Sequence, residues 1–243
     1  MKNFDFLTSN LIVHRGMYNI NKGIPENSLK AFEMAIENNH IIELDLHLLK
    51  DNSVVVFHDD NLERMTGMDK NIKDCTYDEI KDLNLNSTKY HIPLLKKVLE
   101  LVDGKVPLVI EFKYDVRPGL LEKEAMKFLQ KYNGEFVVKS FSPLSVNWFK
   151  KNYPDIIRGQ LVSSYEKVEL NGFLKLLLRN MFFNFITKPD FISYNIKALP
   201  NRKVSKFRER KPVLGWVIRN KDDMNKAKKY CDNFICENIE ELV

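Results

Sequence analysis

The sequence has 243 residues, of which 44% are hydrophobic and 29% are charged, and its formal net charge is +5. This composition is that of an ordinary folded protein and excludes an intrinsically disordered chain. The positive excess is mild, and no dense run of lysine and arginine with interleaved aromatic residues indicates nucleic-acid binding. The length fits a single domain spanning residues 1–243, and (β/α)8 barrels routinely reach this size.

The cysteines and the N-terminal segment bear on location. Cys75, Cys231 and Cys236 lack the spacing of a zinc site, and three cysteines cannot all pair within one chain. Residues 1–7 include an acidic residue and do not form the apolar run with a cleavage site that marks a signal peptide. We therefore expect reduced thiols and a cytoplasmic protein.

Short apolar runs rich in β-formers alternate with amphipathic stretches along the chain. The predicted strands are Leu11–His14, Ile41–Leu48, Leu108–Phe112, Phe136–Phe141, Ile157–Val162, Phe191–Ile196, Val213–Ile218 and Asn233–Cys236. The predicted helices are Ser28–Asn38, Leu94–Val102, Leu120–Tyr132, Leu144–Lys150, Gly172–Phe185, Lys203–Arg210 and Lys221–Lys229. This alternation predicts an α/β fold of the (β/α)8, or TIM, barrel type.

One long segment interrupts the alternation. Residues 54–88 begin with the strand-like run Val54–Phe57 and continue as a mostly polar stretch. We interpret them as a loop insertion after the second barrel strand. Loops that leave barrel strands carry the active site in essentially every enzyme of this fold.

Residues 173–186 are unusually apolar for a helix on the outside of a barrel. They are too short and too charged to span a bilayer, which needs about 20 apolar residues. At helical spacing the polar stripe is narrow and consists of Lys175, Arg179, Asn180 and Asn184. Two interpretations stay open: a deeply buried outer helix, or a peripheral contact with a membrane or another subunit.

Acidic residues lie on two neighbouring predicted strands. Glu43 and Asp45 are two residues apart and therefore share one face of a strand, as do Glu111 and Lys113. Because carboxylate oxygens are hard ligands and no cysteine is near, the three carboxylates suit Mg²⁺ or Ca²⁺ rather than zinc. Lys113 then supplies a cation for a phosphate.

Two histidines accompany these carboxylates. His14 is followed by Arg15 at the end of the first predicted strand, and His58 enters the insertion. A lone histidine at a strand end is more often structural than catalytic, and a Glu-x-Asp pair could simply be ion-paired. The joint placement of all these groups at one barrel face favours metal-assisted acid–base chemistry, because charged residues are rarely buried without partners.

The same residues resemble the glycerophosphodiester phosphodiesterases, whose usual motifs are HRG, PEN(T/S), ExDV, KDG, VxxHD and LxRxTG. The corresponding segments are His14–Gly16, Pro25–Ser28, Glu43–Leu46, Lys50–Asn52, Val55–Asp59 and Leu62–Gly67. The resemblance continues through Ile92–Leu94, Ile110–Lys113, Lys139–Ser142 and Gly215–Val217, and so it spans almost the whole chain.

The resemblance implies a metal-dependent TIM-barrel hydrolase that cleaves glycerophosphodiesters to sn-glycerol 3-phosphate and an alcohol. In this family the attacking group is thought to be the neighbouring glycerol hydroxyl, which gains from proximity. The roles implied here are general acid/base for His14 and His58, ligation of one divalent ion for Glu43, Asp45 and Glu111, and phosphate binding for Arg15 and Lys113.

Several further positions keep more than one interpretation. Glu26 and Asn27 could contact the substrate, orient His14 or cap the following helix. Trp216 could wall the pocket against the glycerol moiety or be a core aromatic residue. His47 shares the face of Glu43 and Asp45 and could contact the substrate or hold a metal ligand in place, and we expect the second role.

Asn52 stands where the KDG motif has glycine, but asparagine tolerates the left-handed turn conformation, so we expect little effect. The chain also departs from the family motifs at two places near the predicted barrel. Cys236-Glu237 stands where Thr-Asp is usual, and Leu94 stands where the family has threonine. We expect neither departure to touch the proposed acid/base or metal groups.

Two other functions remain as alternatives. The same chemistry could act on a lipid, as in lysophospholipase D or sphingomyelinase D-like relatives, and the apolar segment 173–186 is the support for that reading. The other alternative is a catalytically silent barrel that serves as a binding module. Retention of both histidines and all three carboxylates argues against silence.

Overall fold

The computed structural model describes residues 4–113, 118–165 and 171–242, and within these ranges nine strands form one sheet. The strands are β1 (Ile12–Val13), β2 (Ile41–Leu48), β3 (Val54–Val56), β4 (Leu108–Phe112), β5 (Phe136–Ser140), β6 (Arg158–Val162), β7 (Phe191–Asn195), β8 (Val213–Ile218) and β9 (Asn233–Cys236).

Eight of these strands close into a parallel barrel. From β4 to β9 each strand pairs with the next, and β4 pairs with β2. β1 closes the ring, because Ile12 lies opposite Ile41 of β2 on one side and Ile235 of β9 on the other. The predicted (β/α)8 barrel is thus confirmed, and every predicted strand is present within two residues of its expected bounds.

Most helices lie between successive barrel strands and cover the outside of the barrel, whereas the first helix precedes β1 and the last follows β9. They are α1 (Asp5–Ser9), α2 (Leu29–Glu37), α3 (Glu63–Thr66), α4 (Tyr77–Ile80), α5 (Leu95–Val102), α6 (Leu120–Leu129), α7 (Pro143–Asn152), α8 (Gly172–Arg179), α9 (Asn184–Thr187), α10 (Arg202–Arg208), α11 (Lys221–Tyr230) and α12 (Ile239–Leu242). Outward-facing strand residues such as Leu44 and Ile110 pack with the apolar sides of these helices in the main hydrophobic core.

Strand alternation divides the barrel interior into two layers. A separate apolar cluster fills the end where the strands begin, and it includes Ile41, Val109 and Leu214, with Leu7 of α1 packed against them. The next inward position on β2 is Glu43, followed by Asp45, because side chains two apart share a face. The apolar layer therefore supports a charged layer nearer the carboxyl ends of the strands.

The insertion after β2 is packed rather than loose. Its first strand, β3, pairs antiparallel with β2 and lies outside the barrel. Behind β3 the insertion has a hydrophobic core of its own, made of Leu49, Val55, Phe57, Leu62, Met65, Ile72, Cys75, Ile80, Leu85 and Ile92. A polar-looking sequence forms a compact unit here because its few apolar residues converge on one side of β3.

The predicted helix Gly172–Phe185 is wrong as a single element. α8 ends at Arg179, and α9 begins at Asn184 after a turn in which Met181 has a φ of 56°. A positive φ is incompatible with a continuous right-handed helix. No residue of α8 is buried, so the interpretation of a deeply buried outer helix is also wrong.

Cysteines and helix lengths bear on the expected location. Cys75, Cys231 and Cys236 are buried, free thiols. In the described ranges no helix combines the length and apolar character needed to cross a bilayer. The cytoplasmic location stays a prediction from the sequence.

Gly16 fixes the loop that follows β1. Its φ is 80°, and a Cβ built on it would lie 2.9 Å from the Ala31 carbonyl carbon and from the Phe32 ring of α2. The same loop is held by hydrogen bonds from Met17 N to Ala31 O and from Asn27 N to Arg15 O. Both the left-handed conformation and the close approach to α2 therefore require glycine at this position.

We expect Gly16→Ala to destabilise the fold more than Gly67→Ala. Both glycines have a positive φ, but a Cβ at Gly67 meets nothing within 4 Å, so Gly67→Ala reports the conformational cost alone, about 1 kcal/mol. Urea unfolding of the two variants measures the difference. Equal losses of stability would contradict the close packing of Gly16 on α2.

Candidate active site

Charged and titratable side chains gather where the barrel strands end. Glu43 and Asp45 lie on β2, Glu111 on β4, and His14 directly follows β1. His58 follows β3 in the insertion. The structure therefore brings the predicted groups to the end of the barrel at which TIM-barrel enzymes carry their active sites.

Glu43, Asp45 and Glu111 form a compact carboxylate cluster. One oxygen from each lies within 4.8 Å of the others, and the three residues are 0%, 1% and 5% exposed. Burial alone would raise the pKa values of Asp45 and Glu111, but neighbouring cations, Lys113 first among them, lower both below their ordinary range. Both groups are consequently ionised at neutral pH.

Two lysines neutralise part of this cluster. Lys113 Nζ lies 2.8 Å from Asp45 Oδ1 and 2.8 Å from Glu111 Oε1. Lys139 Nζ, on β5, lies 2.7 Å from Glu43 Oε1 and 3.2 Å from Glu111 Oε2. Burial lowers the pKa of each lysine, but the facing carboxylates outweigh burial and raise both pKa values above the ordinary value.

The cluster has the donor set for a divalent cation. Glu43 Oε1 and Asp45 Oδ1 are buried, and neither oxygen has a hydrogen bond of acceptable geometry within the described residues, although an ammonium group is close to each. Buried anionic oxygens without directed hydrogen bonds are available to a hard cation. The residues therefore fit Mg²⁺ or Ca²⁺, and the identity of the ion is open.

His14 is anchored by a carboxylate from the other end of the chain. Its Nδ1 lies 2.6 Å from Glu237 Oε1, and Arg219 Nε donates to Glu237 Oε2 at 2.7 Å. Burial alone would raise the pKa of Glu237, but the bonds from His14 and Arg219 lower it to about 2. The expectation that Cys236-Glu237 does not touch the acid/base groups is therefore wrong, because Glu237 points into the barrel mouth beside β1.

His58 has the same arrangement of partners, and both histidines lie near enough to Asp45 to lower its pKa. His58 Nδ1 lies 2.6 Å from Asp59 Oδ1, and Arg64 Nε donates to the other oxygen of Asp59. Burial alone would raise the pKa of Asp59, but the hydrogen bonds from His58 and Arg64 outweigh burial and lower the pKa below its ordinary value. Each histidine is thus held by a carboxylate that is in turn held by an arginine.

Glu26 connects the residues around His14 with those around His58, and Asn27 contacts the carboxylate cluster. Glu26 Oε1 accepts from Arg15 at 2.6 Å and from Arg64 at 2.7 Å. Asn27 Nδ2 donates to Asp45 Oδ2 at 2.9 Å. The N-cap of α2 is instead Ser28, whose side chain accepts a hydrogen bond from Ala31 N. Glu26 and Asn27 therefore serve the ionic network rather than the helix end.

A cavity of about 390 Å³ opens beside these groups. Its lining residues are His58, Asp59, Asp60, Glu111, Phe112, Lys113 and Phe141. Trp216 is half-buried on β8 and contacts the Phe141 ring edge to face, with ring centroids 5.7 Å apart. His47 binds the carbonyl of His58 through Nε2 at 3.2 Å and so fixes the backbone of that residue.

A parallel barrel with two anchored histidines and a buried carboxylate cluster at the carboxyl ends of its strands is the arrangement of a TIM-barrel enzyme. Comparison with known proteins agrees with that class. The model of the glycerophosphoryl diester phosphodiesterase family matches residues 14–239. The chain therefore belongs to this family, which comprises phosphoric diester hydrolases.

Individual relatives are similar over different shares of the chain. The glycerophosphodiester phosphodiesterase of Caldanaerobacter subterraneus subsp. tengcongensis is 31% identical over 96% of both chains. The Bacillus subtilis protein YhdW is 34% identical over 60% of this chain and 63% of its own length. A phosphodiesterase from Oleispira antarctica, solved in complex with its product sn-glycerol 3-phosphate, has a TM-score of 0.78 and 20% identity, with 96% of this chain and 94% of that chain covered.

Sequence reasoning assigned no role to Lys139 or Glu237. The sequence did contain an indication for Lys139, because it is two residues from Val137 and so shares the inward face of an apolar strand. The structure places it in register with Glu111. Glu237 carried a weaker one, because it lies just beyond the last strand, and only barrel closure places it beside His14.

We expect Lys139→Met to lower the free energy of unfolding by about 3–5 kcal/mol, because it leaves the Glu43 carboxylate buried without its cation. Millimolar Mg²⁺ or Ca²⁺ is expected to raise the melting temperature of this variant more than that of the wild type. Differential scanning fluorimetry with and without the cation measures both effects.

Lys97→Met is the matched control, since Lys97 pairs with Glu100 on an exposed helix face. We expect little change in its melting temperature, because surface ion pairs contribute little to stability. A Lys139→Met variant that no divalent cation stabilises would contradict the assignment of a cation site to the carboxylate cluster.

Glu237 predicts a specific pH dependence of stability. Its pKa is about 2 in the folded protein and about 4.5 in the unfolded chain, so the ionised carboxylate stabilises the fold above pH 4.5. That contribution is lost as the pH falls from about 4.5 towards about 2. The difference in unfolding free energy between wild type and Glu237→Gln should therefore shrink between pH 5 and pH 3 in urea titrations; a constant or widening difference would refute it.

Proposed function

We propose that the protein hydrolyses glycerophosphodiesters to sn-glycerol 3-phosphate and an alcohol, with His14 and His58 as the general acid/base pair. One observation carries the proposal: two imidazoles, each bound through Nδ1 to a carboxylate, lie near Asp45 of a cluster of three buried carboxylates. The name of the Caldanaerobacter relative and the product bound to the Oleispira structure support the same substrate class.

The tethers determine which ring nitrogen reacts. We assign the proton on each neutral imidazole to Nδ1, because Nδ1 faces a carboxylate that can only accept a hydrogen bond. Neither Nε2 atom of His14 and His58 has a hydrogen bond among the described residues. Each Nε2 is therefore available to take a proton from the substrate or to return one.

The reaction needs one histidine in each protonation state. A neutral Nε2 accepts the proton of the hydroxyl that attacks phosphorus, while the protonated Nε2 of the other histidine donates to the oxygen of the departing alcohol. The bond between phosphorus and the new oxygen forms as the bond to the alcohol oxygen breaks. When the attacking hydroxyl is that of the glycerol, the product is a cyclic phosphate. Water then attacks phosphorus, the bond from phosphorus to that glycerol oxygen breaks, and the two histidines exchange roles. Each histidine thereby returns to its starting protonation state, and one water molecule is consumed.

We propose Glu43, Asp45 and Glu111 as the ligands of one divalent ion, Mg²⁺ or Ca²⁺. When bound, this ion supplies positive charge that stabilises negative charge on the phosphoryl oxygens. The ion-paired carboxylates of the site outnumber its lysines and arginines by six to five, namely Glu26, Glu43, Asp45, Asp59, Glu111 and Glu237 against Arg15, Arg64, Lys113, Lys139 and Arg219.

This charge balance explains why a divalent ion suits the substrate. With one histidine protonated, as the reaction requires, the groups sum to zero, so they offer a phosphodiester anion no net attraction. A divalent ion changes the sum to +2, which attracts the singly charged diester. The site chemistry and the substrate charge therefore favour a metal-dependent reaction.

The remaining site residues bind the substrate or hold another side chain in place. We propose that Arg15 and Lys113 contact the phosphate and that Trp216, beside Phe141, lines the glycerol side of the cavity. Asn27 donates to Asp45, so we propose that it acts by holding this carboxylate.

The lipid-specific alternative has less support. The human lysophospholipase D GDPD1 is 34% identical to this chain, but the alignment covers 51% of this chain and 42% of that protein. The Caldanaerobacter glycerophosphodiester phosphodiesterase aligns over 96% of both chains. A silent barrel is disfavoured because both histidines, their carboxylate partners and the acidic cluster are present together.

We expect the protein to release sn-glycerol 3-phosphate from sn-glycero-3-phosphocholine in the presence of Mg²⁺ or Ca²⁺, and EDTA to abolish the release. His14→Asn and His58→Asn should each reduce kcat by about 10²- to 10⁴-fold, the usual contribution of general acid–base catalysis. A dehydrogenase-coupled assay for sn-glycerol 3-phosphate measures all of these rates. Either variant retaining the wild-type rate would refute the two-histidine mechanism.

A second substrate distinguishes the acid from the base. A glycerol phosphodiester with a p-nitrophenyl leaving group needs no protonation of the departing oxygen, so loss of the acid should cost little on this substrate. Loss of the base should remain severe on both substrates. His91→Asn is the matched control, because His91 is an exposed histidine just beyond residues 54–88, and it should retain full activity on both.

A further inference from the structure

Exposed apolar side chains are concentrated on α8 and α9. Among the described residues, five of the eight large hydrophobic side chains that are exposed lie between positions 173 and 186. These five define the α8–α9 face: Phe173 (72% exposed), Leu176 (56%), Phe182 (60%), Phe185 (86%) and Ile186 (51%). Scattered exposed apolar residues need no explanation, but a contiguous group marks an interaction surface.

The fold does not need these side chains. α8 and α9 attach to the barrel through other residues: Leu178 and Met181 pack against the main core, and Thr187 is buried. Lys150 of α7 also donates to the Ile186 carbonyl at 2.5 Å, which fixes the end of α9 to its neighbour. The helices are therefore held in place while the α8–α9 face points to solvent.

The charged residues of the segment that carries the face all have one sign. Residues 171–189 include Lys175, Arg179 and Lys188 and contain no acidic residue. Arg179 and Lys188 are exposed and Lys175 is half-buried. Aromatic and aliphatic side chains beside lysine and arginine are the composition of segments that lie in the headgroup region of a bilayer.

The face adjoins the catalytic end of the barrel. Leu174, Leu178, Phe183 and Ile186 line an apolar cavity of about 660 Å³. Phe141 also lines that cavity, and it lines the cavity beside His58 and Glu111 as well. A surface bound to the α8–α9 face would therefore lie next to the substrate cavity.

We propose that the α8–α9 face docks on the surface of an anionic lipid bilayer, with its phenylalanine rings inserted at the headgroup level and its basic residues on the lipid phosphates. A second copy of the chain is a poorer occupant. A two-fold symmetric contact would place the basic residues of one copy against those of the other, and like charges in an interface are unfavourable. An anionic bilayer complements both the apolar and the basic character of the face.

Co-sedimentation of the full chain with vesicles tests the proposal without any turnover. We expect binding to phosphatidylglycerol-rich vesicles, weaker binding to phosphatidylcholine vesicles and a loss of binding as salt is raised, because salt screens the charges. Phe173→Ser combined with Phe185→Ser should weaken binding about tenfold or more, because both rings leave the lipid. Lys175→Glu combined with Arg179→Glu should weaken it about fivefold or more for each charge.

Matched controls lie elsewhere on the surface. Ile20→Ser removes an exposed apolar side chain outside the face, and Lys96→Glu with Lys97→Glu reverses two charges on the exposed side of α5. Both controls should bind vesicles as the wild type does. All variants should hydrolyse soluble sn-glycero-3-phosphocholine at the wild-type rate, so membrane docking and the proposed hydrolysis can fail independently.

A site-specific probe adds a direct readout. Phe185→Trp should show a blue-shifted fluorescence emission with phosphatidylglycerol vesicles, relative to the wild-type protein with the same vesicles. Absence of wild-type sedimentation, or equal sedimentation of the double phenylalanine variant, would overturn the proposal. The proposal would also be overturned if the wild type forms a dimer in analytical ultracentrifugation, the double phenylalanine variant does not, and neither binds vesicles. The face would then bind a second copy of the chain.

Discussion

Charge compensation inside the barrel mouth is the constraint on which the site depends. Glu43 and Lys139 are 0% and 3% exposed and lie 2.7 Å apart, so neither could remain charged there alone. Lys113 likewise compensates the charge of Asp45 and Glu111. A buried ion network of this kind is weak support for stability by itself, but it holds three carboxylates close enough to share one cation.

Strand alternation is what places that network correctly. The inward positions of β2 change from the apolar Ile41 to Glu43 and Asp45 within one strand, and those of β4 change from Val109 to Glu111. The apolar half forms an interior cluster that fixes the register of the strands. The charged half is thereby positioned by packing below it, which lets a rigid core orient polar groups that have little packing of their own.

The barrel and most of the site could be predicted from the sequence because both depend on local periodicity. The pairs Glu43 with Asp45 and Glu111 with Lys113 are visible as i, i+2 spacings. Glu237 could not be assigned in the same way, because its contact with His14 spans 223 residues and depends on barrel closure. The break between α8 and α9 was missed for another reason: residues 172–187 keep an apolar periodicity through a turn that a single positive φ at Met181 creates.

The two histidine anchors differ in what they tie together. Asp59 and Arg64 hold His58 within the insertion, and Glu26 extends this set to Arg15 beside β1. Glu237 holds His14 across the seam between β1 and β9, where His14 N also donates to the Cys236 carbonyl. One anchor can form once the insertion packs on the first barrel loop, whereas the other needs the first and last strands to meet. The proposed acid/base pair is therefore held in full only when the barrel is closed.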